Sequence, residues 1–148
     1  MSVLQFGFDA FDDNPHKLKN IEIDRVVYTG THDNDTTKGW FNSLEEYDKT
    51  NILQSLELPE TLDSGTADRV VDRMISNAMY SRGSMAIIPM QDYLHLGTDS
   101  RMNVPGTVEG NWAWRFDWHQ VDTQVAAVMK QLVLEAERIA GMQAAENG

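Results

Sequence analysis

Apolar positions along the chain fall into short runs divided by polar blocks, and their spacing predicts strands alternating with helices. Val3-Leu4-Gln5-Phe6-Gly7-Phe8 reads as a buried strand, closed by Asp9 and the turn-rich Asp12-Asp13-Asn14-Pro15. Arg25 to Thr29 reads as a second strand, ended by Gly30. Ser43-Leu44-Glu45-Glu46 has the form of a capping box, ahead of a helical face made by Leu44, Tyr47, Leu53 and Leu56. The strongest periodicity lies between Ala67 and Arg82. There Val70, Val71, Met74, Ile75, Ala78 and Met79 recur at three-and-four spacing, and Gly83 marks a stop. Met85-Ala86-Ile87-Ile88-Pro89 predicts another buried strand. Gln91 to Trp118 reads as a long polar and aromatic loop, and Val121 to Ile139 as a closing helix carrying Val125, Val128, Met129 and Leu132. Residues 141–148 are expected to form a frayed tail.

Strand, loop, strand, helix, helix, strand, long loop, helix is an α/β order with parallel strands. Three strands are few for that class. A closed (β/α)₈ barrel takes eight strands and about 250 residues, so 148 residues accommodate only part of one. A connection as long as 91–118 is itself a functional hint, because loops of that length without elements of their own are uncommon.

Composition narrows the field. Hydrophobic residues make up 41% and charged residues 24%, an ordinary globular mixture. The net charge of −11 argues against nucleic acid and against anionic membrane surfaces as partners. A neutral substrate such as a sugar is compatible with it. The chain has no cysteine, which excludes disulfides and thiolate metal sites and fits a reducing cytoplasm. The first residues carry no basic and apolar leader, and no apolar run reaches the roughly 20 residues that span a bilayer.

Candidate chemistry concentrates in two polar blocks. Tyr28-Thr29-Gly30-Thr31-His32-Asp33-Asn34-Asp35-Thr36-Thr37 follows a strand directly, and strand ends with many convergent polar groups are where sites are built. On residue types alone it reads more readily as an ordinary capped turn. His32, Asp33 and Asp35 are too few to make a metal site. The second block runs from Arg101 to Trp112. Of Trp112, Trp114 and Trp118, at least two are expected to pack in a core, with sugar stacking as the other use of such rings.

Taken together these blocks resemble the amylomaltase (4-alpha-glucanotransferase) family. Val3-Leu4-Gln5-Phe6-x-Phe8-Asp9 begins the match. Val27-Tyr28-Thr29-Gly30-Thr31-His32-Asp33-Asn34-Asp35-Thr36-Thr37-x-Gly39-Trp40 and Pro89-x-Gln91-Asp92 continue it in the family's order. Arg101-Met102-Asn103-x-Pro105-Gly106 and Gly110-Asn111-Trp112-x-Trp114-Arg115 complete it. Nearly the whole chain is covered. What it resembles is the last third of the enzyme, from about the sixth barrel strand to the C-terminus.

The resemblance implies a single segment, 1–148, of a (β/α)₈ TIM-type barrel, from a cytoplasmic enzyme that needs no cofactor. Such an enzyme cuts an α-1,4-glucan and rejoins the released segment to another malto-oligosaccharide through a covalent glycosyl intermediate. A retaining mechanism needs a nucleophile and a general acid/base about 5–5.5 Å apart. The related glucan enzymes add a third carboxylate that grips sugar hydroxyls as oxocarbenium character develops. By position the third carboxylate is Asp33, with His32 as a hydrogen-bonding partner of a sugar hydroxyl. Asn34, Gln91, Asp92, Asn103 and Pro105 are the expected substrate-binding residues. The nucleophile and acid/base belong to a region absent from these residues, and Asp9, Asp35 and Asp92 are not expected to replace them. The chain alone is therefore expected to be inactive, marginally stable or self-associating. The preceding part of the barrel is then its protein partner. Half of a split enzyme, or a non-catalytic α-glucan-binding module, are the alternative readings.

Overall fold

The computed structural model describes residues 1–138, which fall into two compact units, 1–115 and the stretch from Phe116 onward. The expected tail at 141–148 and Ile139 lie outside the described residues.

The first unit is built on a parallel sheet of three strands in the order β1-β2-β3: β1 Ser2–Val3, β2 Val26–Tyr28 and β3 Met85–Ile87. Val3 pairs with Tyr28, and Tyr28 in turn with Ile87, so the carboxyl ends of all three strands lie side by side. Around the sheet run α1 Thr37–Ser43, α2 Glu46–Ser55, α3 Thr66–Tyr80 and the single turn α4 Met90–Tyr93.

The core forms where α3 and α1 meet the sheet. Val27, Phe41, Leu53, Val70 and Met74 are all buried in one cluster with Leu4 and Ile21. Each such side chain contributes roughly 1.5–3 kcal/mol on leaving water. The stripe read from α3 is buried as its spacing predicts.

Several elements depart from the sequence reading. The first strand ends after Val3, because Leu4–Phe6 winds into a 3₁₀ turn closed by Gly7 N–H on the Leu4 carbonyl. The capping box at 43–46 does not form. Ser43 is still inside α1, where its hydroxyl donates to the Trp40 carbonyl, and α2 starts at Glu46 behind an extended Glu45. Helix α1 itself arises inside the polar block, capped by Thr36, whose hydroxyl accepts from Gly39 N–H.

The stop of α3 is Ser81, not Gly83. Gly83 instead lets the chain pass close to β2: a Cβ there would lie 2.5 Å from Val27 Cγ2 and 2.8 Å from the Arg25 carbonyl oxygen. Strand β3 is not buried on both sides. Ala86 packs on the core cluster, while Met85 and Ile87 alternate to the opposite face and are exposed. The stretch 91–118 is not one loop, since α4 and a 3₁₀ turn at Thr98–Ser100 organise its first part.

The second unit holds a 3₁₀ turn, Trp118–Gln120, with a complete Asp117/Gln120 capping box, and α5 Thr123–Glu135, capped by Asp122. Val125, Met129, Leu132 and Val133 are its less exposed positions, and no residue of α5 is buried.

Candidate active site

Ligands of parallel α/β sheets gather at the carboxyl ends of the strands, and here the two polar blocks meet at that edge. The loop from β2 to α1 leaves the sheet at Thr29 and enters the helix at Thr37. Both threonines are wholly buried, and both donate their hydroxyls to Asp92 Oδ2, at 2.6 and 2.7 Å. Thr37 N–H donates to Asp92 Oδ1 at 2.9 Å. Burial pushes the Asp92 carboxyl above the usual carboxylate range, while the threonine hydrogen bonds pull the other way. Asp92 therefore faces inward at 1% exposure, not toward a sugar as the sequence suggested. An acid at that position fastens the two ends of the loop.

Between those ends the loop is shaped by its own side chains. Asn34 Oδ1 accepts from both the amide and the hydroxyl of Thr31, at 3.0 and 2.8 Å. Asp35 accepts from Thr36 N–H and from Thr98 Oγ1, and its carbonyl accepts from Gln5 Nε2. These bonds make Asp35 a strut. Gly30 and Gly39 permit this packing: a Cβ on Gly30 would meet Gln5 Nε2 at 2.5 Å, and one on Gly39 would meet Thr98 Oγ1 at 2.5 Å.

At the middle of the loop His32 and Asp33 point outward. His32 Nε2 lies 3.4 Å from Asp33 Oδ1, and both side chains are 55% exposed. Asn103 Nδ2 donates to Asp33 Oδ1 at 2.7 Å. Arg101 donates to the Asp33 carbonyl and to the Asn103 carbonyl, both at 2.7 Å. Among the described residues no protein donor reaches Asp33 Oδ2.

Trp112 closes the other side. Its ring centroid lies 5.0 Å from that of His32. Its backbone sits in the left-handed region at φ 61°, where its N–H donates to the Met102 carbonyl at 2.7 Å. Such conformations cost free energy in a non-glycine residue and persist where the surroundings impose them.

A pocket of about 170 Å³ opens here, lined by Thr31, His32, Asn34, Asp35, Thr36, Pro89, Gln91, Arg101, Met102 and Trp112. The structure thus gathers His32, Asn34 and Gln91 around one pocket, with Asp33 and Asn103 bonded to each other beside it. Gln91 is mostly buried, and its amide donates to the Ser100 carbonyl. Pro105 is not among the lining residues. It stands in the Val104–Thr107 turn, with Gly106 at φ 83°, the Pro-Gly arrangement of a type II turn.

Sequence reasoning passed over Arg101 as a site residue, although it opens the Arg101-Met102-Asn103 motif. It also assigned at least two of Trp112, Trp114 and Trp118 to a core. Trp112 and Trp118 are instead 55% and 76% exposed. No group of three or more His, Asp or Glu side chains among the described residues is placed to hold a metal ion.

The sequence model of the 4-alpha-glucanotransferase family matches residues 1–121. The chain belongs to that family. It is 48% identical over 116 residues to the chloroplastic/amyloplastic 4-alpha-glucanotransferase of Solanum tuberosum, covering 78% of this chain and 19% of that protein. The Synechocystis 4-alpha-glucanotransferase is 42% identical over 123 residues, covering 82% of this chain and 23% of the relative. The fold agrees with that of an amylomaltase from Streptococcus agalactiae solved in complex with acarbose. There the TM-score is 0.81 at 27% identity, covering 93% of this chain and 27% of that one. The chain thus spans about a fifth to a quarter of the length of these family members.

Proposed function

We propose that this chain is the closing part of the (β/α)₈ barrel of a 4-alpha-glucanotransferase, in which Asp33 stabilises the transition state of glycosyl transfer. The observation that carries the reading is Asp33 itself: Oδ1 is taken by Asn103, and Oδ2 is left open beside a pocket. A carboxylate only accepts hydrogen bonds. With one oxygen fixed, the other is free to accept from hydroxyls of a sugar ring and to gain strength as positive charge builds on the anomeric carbon.

His32 contributes a polar contact to the same sugar, and Trp112 offers an apolar face for C–H surfaces. Asn34, Gln91, Asn103 and Pro105 complete the proposed substrate set. The acarbose complex of the Streptococcus relative supports an α-glucan as the ligand class. Cytoplasmic placement belongs to the same proposal; the plant relative's name carries chloroplastic/amyloplastic, so compartment varies within the family.

Transfer also needs a nucleophile and an acid/base, and no carboxylate here is offered for either role. Asp9 is engaged by Asn14 and by the Phe11 amide, and Asp35 and Asp92 are structural. Without a nucleophile the covalent route is closed. Purified alone, the chain is expected to leave maltotriose unchanged. Supplied with the preceding part of the barrel from the Synechocystis relative, it is expected to release glucose and longer malto-oligosaccharides. Transfer catalysed by the 148-residue chain alone would overturn this reading.

A further inference from the structure

We propose that Arg101 is a positioning residue for Asp33, setting the carboxylate by tying two loops together through their main chains. The proposal rests on the reading that Asp33 acts at the reacting sugar.

Asp33 is half exposed, so packing does not hold its side chain. Its one side-chain hydrogen bond among the described residues comes from Asn103 Nδ2, at 2.7 Å, with His32 Nε2 at the longer distance of 3.4 Å from the same oxygen. Arg101 controls both partners of that bond. Nη2 donates to the Asp33 carbonyl and Nε to the Asn103 carbonyl, each at 2.7 Å. The three hydrogen bonds close a circuit between the β2–α1 loop and the 101–112 segment. Donor and acceptor of the Asn103–Asp33 bond are thereby held in register by a single rigid group.

Both acceptors of Arg101 are main-chain carbonyls, which makes its role one of geometry and not of charge pairing. A guanidinium suits that role because it is planar and offers N–H groups in fixed directions, whereas an ammonium is a point charge on a flexible stem. The 101–112 segment is stiffened from its far end as well. Trp112 N–H donates to the Met102 carbonyl, and Asn111 Oδ1 accepts from Val104 N–H. A shift of this segment would carry Asn103 away and release the Asp33 carboxylate into several rotamers. Misplacement of a catalytic group by about 1 Å costs on the order of 10²-fold in rate.

The test is made on the protein as its source cell produces it, with Arg101→Met, Arg101→Lys and Asp33→Asn introduced in the gene. Maltotriose transfer is then measured, and selective ¹⁵N-asparagine labelling reads the Asn103 amide. Arg101→Met is expected to lower kcat about 10²-fold while KM stays within about threefold of wild type. Its Asn103 amide signal is expected to move to the position of a solvated amide. Arg101→Lys is expected to recover less than about tenfold of the loss, since it cannot serve both carbonyls.

A raised KM with kcat preserved would make Arg101 a substrate contact and overturn the proposal. So would full recovery by lysine, an outcome that decides the matter even where the methionine variant does not fold. An unchanged kcat in Arg101→Met beside an inactive Asp33→Asn would overturn the positioning role and leave the role of Asp33 standing. Undiminished transfer by Asp33→Asn would remove the reading of the site itself, and the positioning role with it.

Discussion

Two carboxylates, Asp92 and Asp33, serve the same loop in opposite surroundings. Asp92 stands at the base, 1% exposed, and receives three hydrogen bonds from Thr29 and Thr37. Asp33 stands in the middle, 55% exposed, with one side-chain donor on one oxygen. A buried acid without partners would be costly, and three donors compensate it, leaving it little capacity for a ligand. An exposed acid pays little for desolvation and keeps capacity for a further donor. The base fixes where the middle sits, and the middle remains open to solvent.

Substitutions separate the two. In the source-cell protein, Asp33→Asn is expected to lower maltotriose transfer by at least 10²–10³-fold, roughly the loss of one preorganised transition-state contact. Its thermal melting is expected to match wild type, because the residue is half exposed. A parallel drop in melting temperature would erase the contrast between base and middle. Asp92→Ala works the other way. It leaves two hydroxyls and one amide buried without an acceptor, and is expected to cost about 3 kcal/mol of stability in chemical denaturation. A cost below about 1 kcal/mol would show that the base can relax, and the comparison would lose its structural half.

The base was the less legible half in the sequence. The α3 stripe could be read because burial imposes a period, and its residues are buried as read; the strand read over Arg25 to Thr29 is present as β2, with Val27 buried. The motif drew attention to His32 and Asp33, which stand side by side on the exposed part of the loop. Asp92 was not legible, because a carboxylate's direction is decided by partners far along the chain, Thr29 and Thr37 lying 63 and 55 residues away. Helix α1 was hidden for a related reason. Its first turn sets Lys38 between two weak formers, Thr37 and Gly39, and is held by the Thr36 cap and by the burial of Thr37 and Gly39. The short first strand has its own cause. Gln5 N–H still pairs with the Thr29 carbonyl, but the backbone has already turned, a change that an apolar run does not encode.

The smallest expected effect sharpens the same comparison from behind α4. His95 follows that helix in a left-handed conformation, φ 51°, and its N–H donates to the Asp92 carbonyl. Its ring Nε2 lies 2.8 Å from Asp72 of α3, so the ion pair ties the segment carrying Asp92 to the main core helix. The Asp72 hydrogen bond raises His95 above the ordinary imidazole value of 6.5 against the opposing effect of burial. Asp72 and Asp68 favour the charged ring, and Lys38 opposes it. A raised folded-state value means that the charged ring is favoured by folding. That stabilisation is complete below the ordinary value and disappears as pH rises through the raised one. The pair is partly solvated, with Asp72 64% exposed, so solvent screening keeps its worth small. Asp72→Asn is expected to cost about 0.5 kcal/mol near pH 5.5 and almost nothing near pH 9, read from urea denaturation at the two values. An equal cost at both would mean that Asp72 acts as a neutral hydrogen-bond acceptor. The base of the site would then be held without any dependence on protonation in this range.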